Sequence, residues 1–237
     1  MRRPVAKVRD LPKVSLPAGK DQFLSEWQSM QLLEKHGLPI VPQRLCRNAD
    51  DAAAVLTILG GRIVLKGSAA SFPHKSEYGL VRLGITGPTG ARSAYEDIAG
   101  RLIELKAEND GVIAAAMVSA RRELMVGARF DPQFGTLVML GDGGKYVEAL
   151  KDTVLLRHPF AEEDVLRALQ RLQIAPLFAG VRGEKRYELK PLAQLAMKLA
   201  DLVAGAKGAI ASVDLNPVMA ATAGAYVIAD ALVERGQ

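Results

Sequence analysis

Cysteine, aromatic side chains and long apolar runs are all scarce in this chain. One cysteine, Cys46, occurs in 237 residues, so an internal disulfide is excluded and a reducing cytoplasm is the expected setting. No apolar stretch approaches the roughly 18 residues that a membrane span needs, and the N-terminal segment lacks the compact apolar core of a secretion signal. The expectation is a soluble cytoplasmic protein with no membrane partner. The lysine–serine phosphate loop of the common NTPases, the glycine fingerprint of dinucleotide-binding folds and paired-cysteine zinc spacings are absent too, which removes those classes of nucleotide and metal chemistry. No internal repeat is visible.

Positive charge is the one conspicuous excess, a formal net +5. It is confined to the first 20 residues, which carry Arg2, Arg3, Lys7, Arg9, Lys13 and Lys20 against the single acid Asp10. The remainder holds 25 basic and 25 acidic residues and is neutral. Pro4, Pro12 and Pro17 interrupt any amphipathic helix there, so residues 1–20 are expected to form a flexible basic tail rather than a targeting helix or a nucleic-acid interface. Residues 21–237, with 49% hydrophobic side chains over the whole chain, can bury a sizeable core in one domain or two joined lobes.

Strand and helix patterns alternate through this body. Phe23, Trp27, Met30 and Leu33 recur at helical spacing, with Ser25 and Gln28 placed as a capping box and Gly37 and Pro39 ending the run. A short extended stretch at 44–46, a helix over 52–59, an apolar strand at 63–65, a strand at 80–85 and a helix over 91–106 follow. Stretches 112–118, 123–130, 136–140 and 146–150 read as an antiparallel meander. Helices over 162–172 and 189–203 and strands at 210–215 and 225–228 complete the pattern. The fold class is α/β, or α+β, in two lobes of mixed sheet and helix, the smaller over about 45–110.

Within this pattern several side chains stand where chemistry is possible. Lys66 closes an apolar strand and can either reach a phosphate or sit as a solvated strand end. His74 lies in a loop of proline, charged residues and glycine, where an imidazole can act as a base, ligand or phosphoryl acceptor or be merely exposed. Glu123 and Glu148 lie on strands and point either into a cleft or outward. Asp214 and Asn216, two apart, share one face of a strand, and Asp230 follows the next strand. This oxygen set suits Mg²⁺, or equally a turn. The Gly141-Asp142-Gly143-Gly144 run serves either a hairpin or a phosphate. His36 falls in the last turn of the first helix, at its negative dipole end, and His158 carries no specific signal.

Taken in order, the segments Leu24-Ser25-Glu26, His36-Gly37-Leu38-Pro39-Ile40, Val64-Leu65-Lys66, His74-Lys75-Ser76-Glu77, Glu123-Leu124-Met125-Val126-Gly127 with Asp131-Pro132, Gly143-Gly144, Val147 to Asp152 and Asp214-Leu215-Asn216-Pro217 resemble the ATP-grasp domain of ADP-forming acyl-CoA synthetases, the β subunit or the end of a fused chain. The resemblance covers almost everything after the tail. It implies an ATP-grasp fold with a nucleotide cleft between its lobes, and a subunit that moves phosphate between ATP or ADP and a histidine relay. The resemblance further implies that acyl-CoA is formed or cleaved in a separate CoA-binding α subunit, giving a hetero-oligomer.

By the same resemblance His74 carries the phosphoryl group. Lys66, Gly79, Ala115, Met117, Val118, Glu123 and Glu148 bind the nucleotide, and Asn216 with Asp230 coordinates Mg²⁺. The chain departs from the family pattern at three places. Leu80 follows Gly79 where a second glycine is usual, Ala115 replaces a glutamine, and the arginine expected beyond Lys151-Asp152 is displaced to Arg157, after Leu156. A non-catalytic ATP-binding subunit and a different ATP-grasp carboxylate ligase are the alternative readings.

Overall fold

A computed structural model of the chain describes residues 10–144, 151–221 and 224–236. The expected strand at 146–150, and Glu148 within it, lie outside the described residues.

Helix α1 (Glu26–Lys35) starts where expected, the Ser25 hydroxyl accepting the Gln28 amide at 3.2 Å. Strand β1 (Gln43–Cys46) leads to α2 (Ala49–Ile58), capped by the Asn48 side chain on the Asp51 amide at 2.8 Å. Strands β2 (Ile63–Ser68) and β3 (Val81–Ile85), helix α3 (Pro88–Glu104) and strand β4 (Gly111–Ala116) follow. These strands make an antiparallel sheet in the order β1-β4-β2-β3. Beneath it α2 and α3 close a core of Leu56, Ile63, Leu65, Leu80, Ile98 and Leu102, whose members run from Cys46 to Ala114.

The remaining elements build a second antiparallel sheet. Strands β5 (Ala120–Asp131), β6 (Gly135–Asp142) and β7 (Thr153–Arg157) form a meander. After helices α4 (Glu162–Leu169), α5 (Ala175–Phe178) and α6 (Lys190–Gly205) come β8 (Ile210–Ala221), β9 (Tyr226–Ile228) and β10 (Ala231–Arg235). The order is β10-β8-β5-β6-β7, with β9 also on β8. Helix α6 lays Leu192, Leu195, Leu199 and Leu202 into the larger core, which also takes α1. Alanine and leucine at i, i+3 and i+4 give α6 a wide apolar stripe, and burial of that stripe rather than capping holds it, since no side chain caps its N-terminus. Before α1, Val14 and Leu16 pack against the same core.

Two sequence expectations are corrected here. The stretch 112–118 is not the first strand of the meander: its apolar run pairs with β1 and β2 in the smaller sheet, so it is buried from both sides and shows no alternation. The helix expected over 91–106 begins earlier, at Pro88, because proline at the first helical position has no amide to leave unpaired.

The two sheets meet at a seam. The chain enters the smaller sheet at β1 and returns through Met117, Val118 and Ser119, which join β4 to β5. The Ala116 and Met117 amides bond to the Pro42 and Arg62 carbonyls at 2.8 and 3.1 Å. The start of α1 stitches the seam from the other side. The Trp27 amide donates to Ser68 Oγ at 3.0 Å, Ser68 Oγ donates to Asp110 Oδ2 at 3.1 Å, and Ser25 also donates to Asp110.

Candidate nucleotide site

A cleft of about 720 Å³ opens between the sheets. Among its walls are Lys66, His74, Ala115, Met117, Val118, Glu123, Asn216 and Asp230, residues spread over most of the chain. The fold brings them together because β2 and β4 present one wall, the β5–β8 pair the opposite one, and the link between β9 and β10 the floor. Gly79 is not among the lining residues. It has φ +68° in the turn after His74, where its carbonyl accepts Arg82 Nη1 at 2.8 Å. Leu80, the departure from the family pattern, is fully buried and fills the smaller core.

Lys66 is not at a strand end. It lies within β2, paired with Ile113 and Val81, and is buried. Its Nζ donates to Glu26 Oε1 at 2.6 Å and to the Ala229 carbonyl at 2.7 Å, and stands 3.8 Å from Asp230 Oδ2. Lys75, next to His74, turns inward to the same place, 3.0 Å from Glu26 Oε2 and 3.1 Å from Asp230 Oδ1. Burial opposes the charge on Lys75, but the Glu26 and Asp230 carboxylates outweigh it and hold the ammonium proton more tightly than in an ordinary lysine. His74 itself is exposed at the mouth of the cleft, and its carbonyl accepts the Glu77 amide at 3.1 Å.

Glu26 and Lys75 lie in the motif segments, but residue type and spacing suggest no role for either. The signal that could have found Glu26 is its place at the first position of a helix whose capping serine is already satisfied. Nothing in the sequence shows which neighbour such a carboxylate meets.

On the opposite wall Glu123 faces the cleft from β5, and Gly143 and Gly144 fold directly over it. A side chain on Gly143 would collide with the Leu124 backbone, and one on Gly144 with the Glu123 carboxylate. The Gly143 amide donates to the Glu123 carbonyl at 3.0 Å and the Gly144 amide to Asn216 Oδ1 at 3.1 Å. The glycines therefore serve close packing against β5 and β8. Arg122 points away and forks onto Asp142 at 2.9 and 2.8 Å.

Three oxygen-bearing side chains expected to suit a cation, Asp214 and Asn216 on β8 and Asp230 after β9, all line the cleft. Asp214 keeps contact with solvent, but the cleft walls limit its hydration. Burial and then the Asp230 carboxylate raise its pKa above the ordinary aspartate value, and a divalent cation would relieve that mutual repulsion. Hard oxygens completed by water and phosphates are what Mg²⁺ takes, so the donor set fits. Among the described residues no cluster of three or more His, Cys, Asp or Glu forms a fuller metal cage.

The remaining histidines lie elsewhere. His36 ends α1. His158 Nε2 lies 3.0 Å from Asp201 in a separate cleft beside α4 and α6. No helix among the described residues is long and apolar enough to cross a membrane.

Comparison with known proteins agrees with this architecture. A family model described as an ATP-grasp domain matches residues 15–234. The β subunit of acetate–CoA ligase [ADP-forming] I from Pyrococcus furiosus is 32% identical over 218 residues, 91% of this chain and 93% of that protein. Among solved structures, acetyl-coenzyme A synthetase 1 of Candidatus Korarchaeum cryptofilum, in complex with coenzyme A and Ca-AMPCP, superposes with a TM-score of 0.83 at 26% identity, covering 90% of this chain and 93% of that one. The same synthetase with coenzyme A and Mg-AMPPCP, its phosphohistidine segment pointing towards the nucleotide site, gives 0.77 at 25% identity, with 90% and 93% covered. The chain belongs to the ATP-grasp family, and β subunits of ADP-forming acetate–CoA ligases are among its relatives.

Proposed function

We propose that this chain is the nucleotide-binding subunit of an ADP-forming acyl-CoA synthetase, a ligase that works with a CoA-binding α subunit as a hetero-oligomer. The observation that carries this reading is the inter-lobe cleft that gathers an exposed imidazole, buried ammonium groups and hard oxygen donors, in a chain aligned along 93% of a ligase β subunit. A cytoplasmic setting accords with its one free, buried thiol.

Lys66, Glu123 and the chain from Ala115 to Val118 bind ATP or ADP, while Asp214, Asn216 and Asp230 hold Mg²⁺. When bound, Mg²⁺ supplies charge neutralisation on the phosphate oxygens. His74, exposed at the cleft mouth, can then attack the terminal phosphorus of ATP through an unprotonated ring nitrogen. A nitrogen–phosphorus bond forms, the bond from phosphorus to the bridging oxygen breaks, and ADP leaves with the electron pair. In the reverse direction ADP takes the phosphoryl group back. Glu148 completes the proposed nucleotide-binding set, and Gly79 serves by shaping the His74 turn rather than by touching nucleotide.

The test is transfer of label from γ-labelled ATP with Mg²⁺ to the complex copurified with its CoA-binding partner. Acid-labile label on this chain, abolished by His74→Asn, is expected. Full labelling of His74→Asn would overturn the assignment.

A further inference from the structure

The ion pairs at the back of the cleft form a closed ring. Lys66 Nζ lies 2.6 Å from Glu26 Oε1 and 3.8 Å from Asp230 Oδ2, and Lys75 Nζ lies 3.0 Å from Glu26 Oε2 and 3.1 Å from Asp230 Oδ1. Each ammonium faces both carboxylates, so the four charges cancel. Their exposures differ: the Glu26 side chain is 2% exposed, each lysine 10%, and Asp230 28%. Glu26 is thus the innermost member, shielded from solvent and from the cleft by the two lysines it holds. A carboxylate so deeply buried gains little net stability from its pairs, because desolvation of the ions offsets their attraction. Its position at the start of α1, in the seam between the sheets, is more informative than its energy.

Lys66 and Lys75 come from different kinds of structure. Lys66 is fixed by the β2 ladder, whereas Lys75 belongs to the turn after His74. The carbonyl of Lys75 accepts the amides of Tyr78 and Leu80 at 3.3 and 3.0 Å, and Leu80 is anchored in the smaller core. Fixing the Lys75 side chain therefore fixes the backbone immediately beside His74. Glu26 reaches both lysines with its two oxygens, Oε1 on Lys66 in hydrogen-bond geometry and Oε2 near Lys75 without it. The second contact is electrostatic and tolerates small movement of the turn. Asp230, the other carboxylate of the ring, is the one exposed to the cleft and to the cation donors.

We propose that Glu26 is a positioning residue that sets the phosphate-facing ammonium of Lys66 and the His74 turn, through Lys75, in one fixed relation across the seam. It touches neither nucleotide nor metal. When Asp230 turns to a cation, Glu26 is the carboxylate that remains to hold both lysines, so the ring keeps the turn in place in the loaded cleft. The inference rests on the roles given above to Lys66 and His74.

The experiment compares Glu26→Gln, Glu26→Asp, Lys75→Met and Lys66→Met in the copurified complex. Readouts are amide hydrogen exchange, Mg-ATP affinity and label transfer to His74 at saturating Mg-ATP. Glu26→Gln is expected to speed exchange of the Tyr78 and Leu80 amides, and to slow transfer about tenfold or more, while the Mg-ATP Kd moves by about threefold or less, because geometry rather than binding is lost. Glu26→Asp should recover part of the rate. Lys75→Met should reproduce the exchange change, and the Glu26→Gln/Lys75→Met pair should add little to it.

If Glu26→Gln lowers only the unfolding midpoint, with exchange in the turn and the transfer rate unchanged, the proposal is overturned. Should Glu26→Gln fail to fold, Lys75→Met carries the same readouts, and native exchange and transfer in that variant overturn it equally. Failure of the underlying reading looks different: Lys66→Met would then bind Mg-ATP as tightly as the native chain. Lys66→Met losing affinity while Glu26→Gln transfers at the native rate would remove the positioning role alone.

Discussion

The side-chain oxygen of Asn216 accepts the Gly144 amide at 3.1 Å, so a proposed cation ligand is already aimed by the backbone that follows β6 in the same sheet. A carbonyl oxygen has two lone pairs, and the one not used by Gly144 remains for a metal. Asn216→Ala removes both the donor and its tether. The Mg²⁺ concentration needed to support ADP binding is expected to rise on the order of tenfold or more, with metal-free ADP affinity little changed. Calorimetric titration of ADP over a series of Mg²⁺ concentrations measures this, and equal Mg²⁺ dependence in the two proteins would count against the site.

Lys66→Met deletes a buried ammonium whose charge-assisted bonds are each worth about 1.5–3 kcal/mol. Mg-ADP affinity should fall about 10- to 100-fold. The same titration at fixed Mg²⁺ reads the loss, and Arg82→Met, whose guanidinium is spent on the Gly79 and Val81 carbonyls, should bind as the native chain does.

Asp152 belongs to the family motif but not to the cleft. Its buried carboxylate accepts the Gln173 and Ile174 amides at 2.8 and 3.0 Å, tying β7 to the chain entering α5. Asp152→Ala leaves both amides unpaired and should cost about 2–6 kcal/mol, from about 1–3 kcal/mol for each buried unsatisfied group. Urea unfolding supplies the number. Nucleotide affinity of the folded fraction should be unchanged.

Cys46 ends β1, and its side chain is buried in the smaller core. Burial first, and then the Asp51 carboxylate, push its thiol up to about 11, with the Ala114 backbone opposing weakly. A pKa raised in the folded state means the folded chain holds the proton more tightly. The resulting stabilisation is complete below the thiol's ordinary value and disappears as pH rises from there towards about 11. Native protein at pH 8 should therefore react with iodoacetamide far more slowly than protein in denaturant. In addition, Cys46→Ala should flatten the alkaline fall in stability. Equal labelling rates in the two states would refute the buried, protonated thiol.

Much of the fold was legible in local pattern. The Ser25 cap, the first helix, most of the helix expected over 91–106 and the β5–β6 hairpin follow from spacing and turn residues, whose effects act within a few positions. The assignment of 112–118 to the meander failed because a strand buried on both sides looks the same whichever sheet receives it. Strand β10 was missed, since Ala231–Arg235 is short and its alternation reads only once Leu215 and Val213 stand opposite. Lys66, His74, Asn216 and Asp230 were singled out by residue type and motif. Glu26 and Lys75 acquire a role only through their partners.

The sequence by itself determined the alternation of helix and strand, the neutral body behind a basic leading segment, and the family, because these depend on residue identity and near neighbours. Tertiary structure alone decided that Glu26 and Asp230, 204 positions apart, share two lysines. It also decided that Gly143 and Gly144 pack on β5. A charge finds its counter-charge through space, and the sheets that close the distance are assembled by hydrophobic burial, which specifies no particular ion pair.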